Sequence, residues 1–189
     1  MRTCDLAKTY GLASHLAGGT HHAHFDRGSG FCIYNDLAVS ARYLINQGLA
    51  SRVLIFDCDV HQGEGTASIL AHHPQTFTCS IHAEKNFPVR KVEGDLDVNC
   101  PDGMTDDEYL SVVFETLESV IASWHPDFVI YDAVSSVPVA GSLGRLAITT
   151  DGFYRRHYGV ISRIRHAGLP CATVIGGGYD KDRARVAAR

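Results

Sequence analysis

Four short apolar runs, set apart by longer stretches of helical periodicity, restrict this chain to few architectures. The runs are 52–56 (RVLIF), 76–81 (TFTCSI), 128–131 (FVIY) and 171–175 (CATVI). They are partly β-branched and apolar at both parities, as strands covered on both faces are. Helices are expected between them. Asp36 is placed to cap a helix over 37–47 that Gly48 stops. Thr105 and Glu108 form a Thr-x-x-Glu capping box that opens a helix toward Trp124, with Val112, Val113, Leu117, Val120 and Ile121 as its apolar stripe. A further helix spans 151–166 and ends at Gly168. Strand–helix alternation of this kind predicts an α/β domain with a mostly parallel sheet.

The polar residues fall where such a sheet places its chemistry. Asp57, Asp59 and His61 follow one run, Ser80 and His82 close the next, Asp132 follows a third, and Gly176-Gly177-Gly178-Tyr179 follows a fourth. In open parallel sheets ligands bind beyond the carboxyl ends of the strands.

Composition narrows the partners. A chain of 189 residues can bury a real core, and its net charge of −4 argues against a nucleic-acid surface. Arg52, Arg90 and Lys91 are scattered, and Arg183, Arg185 and Arg189 read as one solvated helix face. No run reaches the roughly 18 apolar residues of a membrane span. The N-terminal segment lacks the apolar centre of a signal peptide. The six cysteines form no Cys-x-x-Cys pair, and Cys58, Cys79 and Cys171 lie in apolar runs. Buried reduced thiols in a cytoplasmic protein are therefore expected, without a cysteine zinc site.

Three signals carry chemistry. In Asp57-x-Asp59-x-His61 an extended segment would turn alternate residues to one side, offering two carboxylates and an imidazole to a divalent ion. The bland alternative is an acidic strand end. The second signal is His21-His22, which follows Gly18-Gly19 and precedes Gly28-Ser29-Gly30-Phe31-Cys32, a segment able to bring backbone and an aromatic wall near a ligand. His72-His73, before Pro74, is the contrasting pair and reads as solvated. The third is the glycine triplet before Tyr179, whose hydroxyl could donate to a developing oxyanion.

Together the stretches GGTHHAHFDRGSGFCIYNDLAV, VLIFDCDVHQGEGT, SIHAEKNFP, LGRLAIT and VIGGGY resemble the histone deacetylase family, within the arginase/deacetylase superfamily. With DDEYL and the short loops, the chain looks most like the class IV branch and its bacterial relatives. The resemblance implies a three-layer α/β/α fold and one partial deacetylase domain over 1–189, lacking N-terminal and C-terminal portions. It implies zinc-dependent hydrolysis of an acylated lysine peptide or a small acyl-amine. Asp59 and His61 match zinc ligands. His22 matches the general base, His21 its electrostatic partner, and Asp57 and Glu64 the carboxylates behind His21 and His22. Tyr179 matches the tyrosine that stabilises the intermediate, and Gly30, Phe31 and Phe87 match the acyl-lysine tunnel. A structural potassium ion on Asp57, Ser80 and the backbone carbonyls of Asp59, His61 and Ile81 is implied as well.

The chain departs from the pattern at one place. The position matching the third zinc ligand falls at Gly141, and a second commonly acidic position at Ser136. No carboxylate stands between Asp132 and Asp151. A local reading-frame slip in the coding sequence and a catalytically inactive acyl-lysine binder both fit this pattern. An arginase-like ureohydrolase would need a second acidic cluster for its two manganese ions, and none is found.

Overall fold

The computed structural model describes residues 1–134 and 145–177. In chain order they form α1 (Arg2–Tyr10), β1 (Leu12–His15), α2 (Asp36–Asn46), β2 (Val53–Asp57), α3 (Glu64–Leu70), β3 (Thr76–Ala83), β4 (Leu96–Cys100), α4 (Asp106–Trp124), β5 (Phe128–Asp132), α5 (Thr150–His166) and β6 (Cys171–Val174). The strands make one sheet in the order β1-β6-β5-β2-β3-β4, with every neighbouring pair parallel.

Alternation along the central strands builds two cores. Leu54 and Phe56 of β2, with Val129 and Tyr131 of β5, face α4 and α5, where Tyr109, Val113, Leu117, Phe153, Val160 and Ile164 meet them. Val53 and Ile55, with Phe128 and Ile130, face the other way toward Cys4 and Ala7 of α1 and Leu37, Ala41 and Leu44 of α2. The period of two in a strand therefore produces the three-layer α/β/α arrangement directly. Each fully buried Leu, Val or Phe here contributes about 1.5–3 kcal/mol relative to exposure.

The predicted capping box is present. The Thr105 N–H and hydroxyl both donate to Glu108 Oε2, at 2.9 and 2.6 Å. The cap of α2 differs from expectation. Asn35 is the capping residue, its side-chain oxygen accepting from the Ala38 N–H at 2.9 Å. Asp36 instead accepts from the backbone N–H groups of Gly19 and Thr20, at 3.2 and 2.8 Å. A carboxylate that satisfies two turn amides is better placed there than at a helix start already capped by its neighbour. The cysteines are free, and Cys4, Cys58, Cys79, Cys100 and Cys171 are buried. Among the described residues no helix is long and apolar enough to cross a membrane.

Topology locates the site. From β2 the chain steps outward to β3 and β4; it then returns to β5 on the other flank and continues to β6. The boundary between β2 and β5 is thus the switch point, where a crevice opens beyond the carboxyl ends. Register places Ser80, Asp57 and Asp132 in one row across that boundary.

Candidate metal centre and histidine pair

Three loops meet over this row. The first carries His21 and His22, and hydrogen bonds hold its backbone in place. Thr66 N–H donates to the His21 carbonyl at 3.0 Å, and Asn35 Nδ2 donates to the carbonyls of His21 and Ala23 at 3.2 and 3.0 Å. His21 Nδ1 lies 2.6 Å from Asp57 Oδ2, and His22 Nδ1 lies 2.6 Å from Glu64 Oε2. The two Nε2 atoms face each other at 3.1 Å. His21, His22, Asp57, Asp59, His61 and Glu64 are all buried.

The proton inventory follows from these contacts. An Nε2–Nε2 contact needs one donor and one acceptor. Each Nδ1 faces a carboxylate and donates to it, so one ring is a cation and the other neutral. Burial opposes charge on His21, yet the carboxylates of Asp57, Asp59 and Asp132 override it and hold His21 well above the ordinary 6.5. Burial lowers His22, the bond to Glu64 offsets this only in part, and the neighbouring His21 charge lowers it further. His21 therefore carries the second proton, and His22 Nε2 is the basic lone pair.

The second loop leaves β2. Asp57 Oδ1 accepts from the Asp59 N–H at 2.8 Å, and Asp59 Oδ1 accepts from the His61 N–H at 2.7 Å. Asp59 Oδ1 also lies 2.8 Å from His61 Nδ1, and Asp59 Oδ2 lies 3.8 Å from His21 Nε2. Burial would raise the Asp59 carboxyl, but the hydrogen bond from His61 and the charges of His21 and His61 bring it down to about 2. An anionic carboxylate and an imidazole nitrogen converging in a buried pocket suit zinc in charge and donor type.

The third loop turns at Gly30 and Phe31, both with positive φ (50° and 63°), between Ser29 and Cys32, which exchange backbone hydrogen bonds at 3.0 and 2.7 Å. A Cβ on Gly30 would enter the His22 ring, so only glycine lets this turn lie against the imidazole. Positive φ at Phe31 is a costly conformation for an aromatic residue and is found where function holds it. Phe31 is 93 % exposed on this turn. Phe87 stands edge-on to His22, with ring centroids 4.9 Å apart and planes at 87°.

The expected residues His21, His22, Asp57, Asp59, His61 and Glu64 thus come together, with Gly30 and Phe87 against them. Ser80 is buried beside Asp57, and its hydroxyl contacts His82 Nδ1 at 3.0 Å. Tyr179, Gly141 and Ser136 lie outside the described residues, as does the C-terminal arginine face. Two further residues belong to the neighbourhood. Asp132, which the sequence placed at the carboxyl edge of the sheet without a role in the zinc set, is fully buried, and among the described residues neither carboxylate oxygen has a hydrogen-bond partner. One ligand atom from each of His21, Asp57 and Asp132 lies within 4.8 Å of the other two. Burial and the nearby Asp57 charge push the Asp132 carboxyl well above the usual range, against the opposing pull of His21. Arg156 of α5 reaches the Cys58 carbonyl at 3.0 Å, and no local motif announces it.

Comparison with known proteins identifies relatives of the chain. The family model described as "Histone deacetylase domain" matches residues 4–189. An uncharacterized protein of Picosynechococcus is 50% identical over 180 residues, covering 95% of this chain and 60% of that protein. Histone deacetylase 2 of Arabidopsis thaliana is 33% identical over 187 residues, covering 97% of this chain and 48% of its own length. The solved structure of acetylpolyamine aminohydrolase from Burkholderia pseudomallei superposes with a TM-score of 0.83 at 25% identity, over 98% of this chain and 57% of that one. The chain therefore spans about half to three-fifths of the length of these relatives.

Proposed function

The chain belongs to the histone deacetylase family, with the arginase/deacetylase fold, and from that premise we propose that it forms the centre of a zinc-dependent amide hydrolase acting on acyl-lysine or a related acyl-amine. One observation carries the reading. Two imidazoles meet Nε2 to Nε2 at 3.1 Å, each backed by its own carboxylate at 2.6 Å, beside the Asp59–His61 donor pair.

Asp59 and His61 would hold the zinc ion, which when bound polarises a carbonyl and brings the pKa of water toward ~7. The protein's own groups do the rest. His22 Nε2 takes the proton from the attacking water, and Glu64 fixes the tautomer that leaves this nitrogen free to accept. His21 stays cationic against Asp57 and stabilises negative charge near the departing amine. Phe87 and Phe31 give apolar walls to a methylene stem, with Gly30 keeping the passage open beside His22. Tyr179 would donate to the developing oxyanion. By the same resemblance a potassium ion would sit on Asp57, Ser80 and the carbonyls of Asp59, His61 and Ile81. Free buried thiols support a cytoplasmic setting. The net charge of −4 supports an acyl-amine or acylated peptide substrate over nucleic acid.

Metal analysis of the purified chain, followed by hydrolysis of an acetyl-lysine peptide and of an acetylated polyamine, tests the proposal. Bound zinc with turnover of either substrate is expected. Absence of turnover with added zinc would remove the activity from this chain. A second reading is favoured by one observation, the absence of a carboxylate between Asp132 and Asp151. On that reading the chain binds acyl-lysine without hydrolysing it. Aspartate introduced in turn at Gly141 and at Ser136 separates the two. A gain of about 10-fold or more in zinc affinity at either position identifies a lost ligand, and unchanged affinity at both leaves the binder.

A further inference from the structure

We infer that Arg156 is a positioning residue that clamps the zinc-ligand turn of β2 to the backbone leaving β5; the inference rests on the metal reading above. The Arg156 side chain is fully buried, and no carboxylate among the described residues pairs with it. An unpaired buried cation is expensive, so a fold that keeps one must draw specific hydrogen bonds from it.

Those bonds go to backbone and neutral groups. Nη1 donates to the Cys58 carbonyl at 3.0 Å and to the Tyr109 hydroxyl at 3.4 Å. Nη2 donates to the Val134 carbonyl and, at 3.2 Å, to His157 Nε2. Cys58 stands between Asp57, which anchors His21, and Asp59, whose carboxylate meets His61 and would hold the zinc ion. Val134 lies two residues beyond Asp132, at the exit of β5. The two carbonyls belong to neighbouring strands at the switch point, where the sheet ladder has ended except for a long Cys58 N–H to Asp132 carbonyl bond of 3.4 Å. One planar fork therefore replaces the ladder where the strands splay to make the site. A guanidinium can span both carbonyls at once, whereas a lysine ammonium offers a single point of charge.

His157 completes the clamp. Arg156 can only donate, so His157 Nε2 must accept, and the neutral ring keeps its proton on Nδ1 facing the Tyr131 hydroxyl at 3.0 Å.

Hydrogen exchange and metal binding on the full chain, with Arg156→Lys and Arg156→Met, test the inference. Both variants are expected to raise exchange at the Asp59 and His61 amides by about 10-fold, with amides of β3 and α4 within about 2-fold of wild type. Zinc affinity, read by competition with a chromophoric chelator, is expected to fall about 10-fold in parallel. Should Arg156→Met fail to fold, Arg156→Lys carries the test, since it keeps the charge and loses the fork. A folded Arg156→Lys protein with wild-type exchange over 57–61 overturns the clamp, and so does a uniform rise in exchange across the sheet. A wild-type chain that binds no zinc refutes the metal reading, and the exchange pattern then still decides the clamp.

Discussion

The His21–Asp57 and His22–Glu64 pairs are chemically alike, with the same 2.6 Å contact between buried side chains, yet their imidazoles shift in opposite directions. The contact to a carboxylate does not decide the outcome. What decides it is the charge behind that contact. His21 faces Asp57 and Asp59 together, with Asp132 close behind. His22 has one carboxylate and a cationic neighbour. His157 extends the series: burial and the adjacent Arg156, with no compensating acid, bring it down to about 3. Three histidines thus sample three electrostatic settings, and basicity is divided by their surroundings.

The largest effect is expected where the comparison is broken outright. His22→Ala removes the accepting lone pair, and single-turnover hydrolysis by the zinc-loaded protein should slow by about 10²–10⁴-fold. A loss below 10-fold would assign the base elsewhere. Asp57→Asn should follow, at about 10–100-fold, the scale of lost support behind an active group. Its sharper signature is reciprocal. In an NMR titration the His21 resonances should move to lower pH while those of His22 move to higher pH, because the neighbouring cation is lost. Parallel movement of both would show that the two rings do not sense each other.

The smallest effect concerns His157. Its folded value of about 3 lies below the ordinary 6.5, so between these pH values the unfolded chain binds a proton that the folded chain refuses. Stability is therefore complete above pH 6.5 and declines as pH falls toward 3, by at most about 1.4 kcal/mol per pH unit. Denaturant midpoints of His157→Gln should fall less steeply across this window than those of wild type. Equal slopes would place the ring in solvent.

Much of this was legible in the sequence where burial is two-sided. β2, β3, β5 and β6 announce themselves because each packs helices on both faces, and the capping box of α4 is a local device. The Asp-x-Asp-x-His spacing was legible too, since its residues lie on one short segment. β1 was not, because among the described residues this edge strand pairs only with β6 and leaves three of its four residues exposed. β4 is the opposite edge and buries only Cys100 fully. α1 hides its short apolar stripe, Cys4 and Ala7, among polar residues. Arg156 and the dry setting of Asp132 were beyond reach for a different reason. Their surroundings come from segments remote along the chain, and a lone arginine or aspartate in sequence carries no mark of being dry.

The contact between the two Nε2 atoms has a kinetic consequence. The lone pair that accepts a proton in the proposed reaction is already engaged by the N–H of its neighbour. In that reaction a water molecule would have to displace this N–H before it could hand its proton to His22, so breaking one short contact would precede the chemistry.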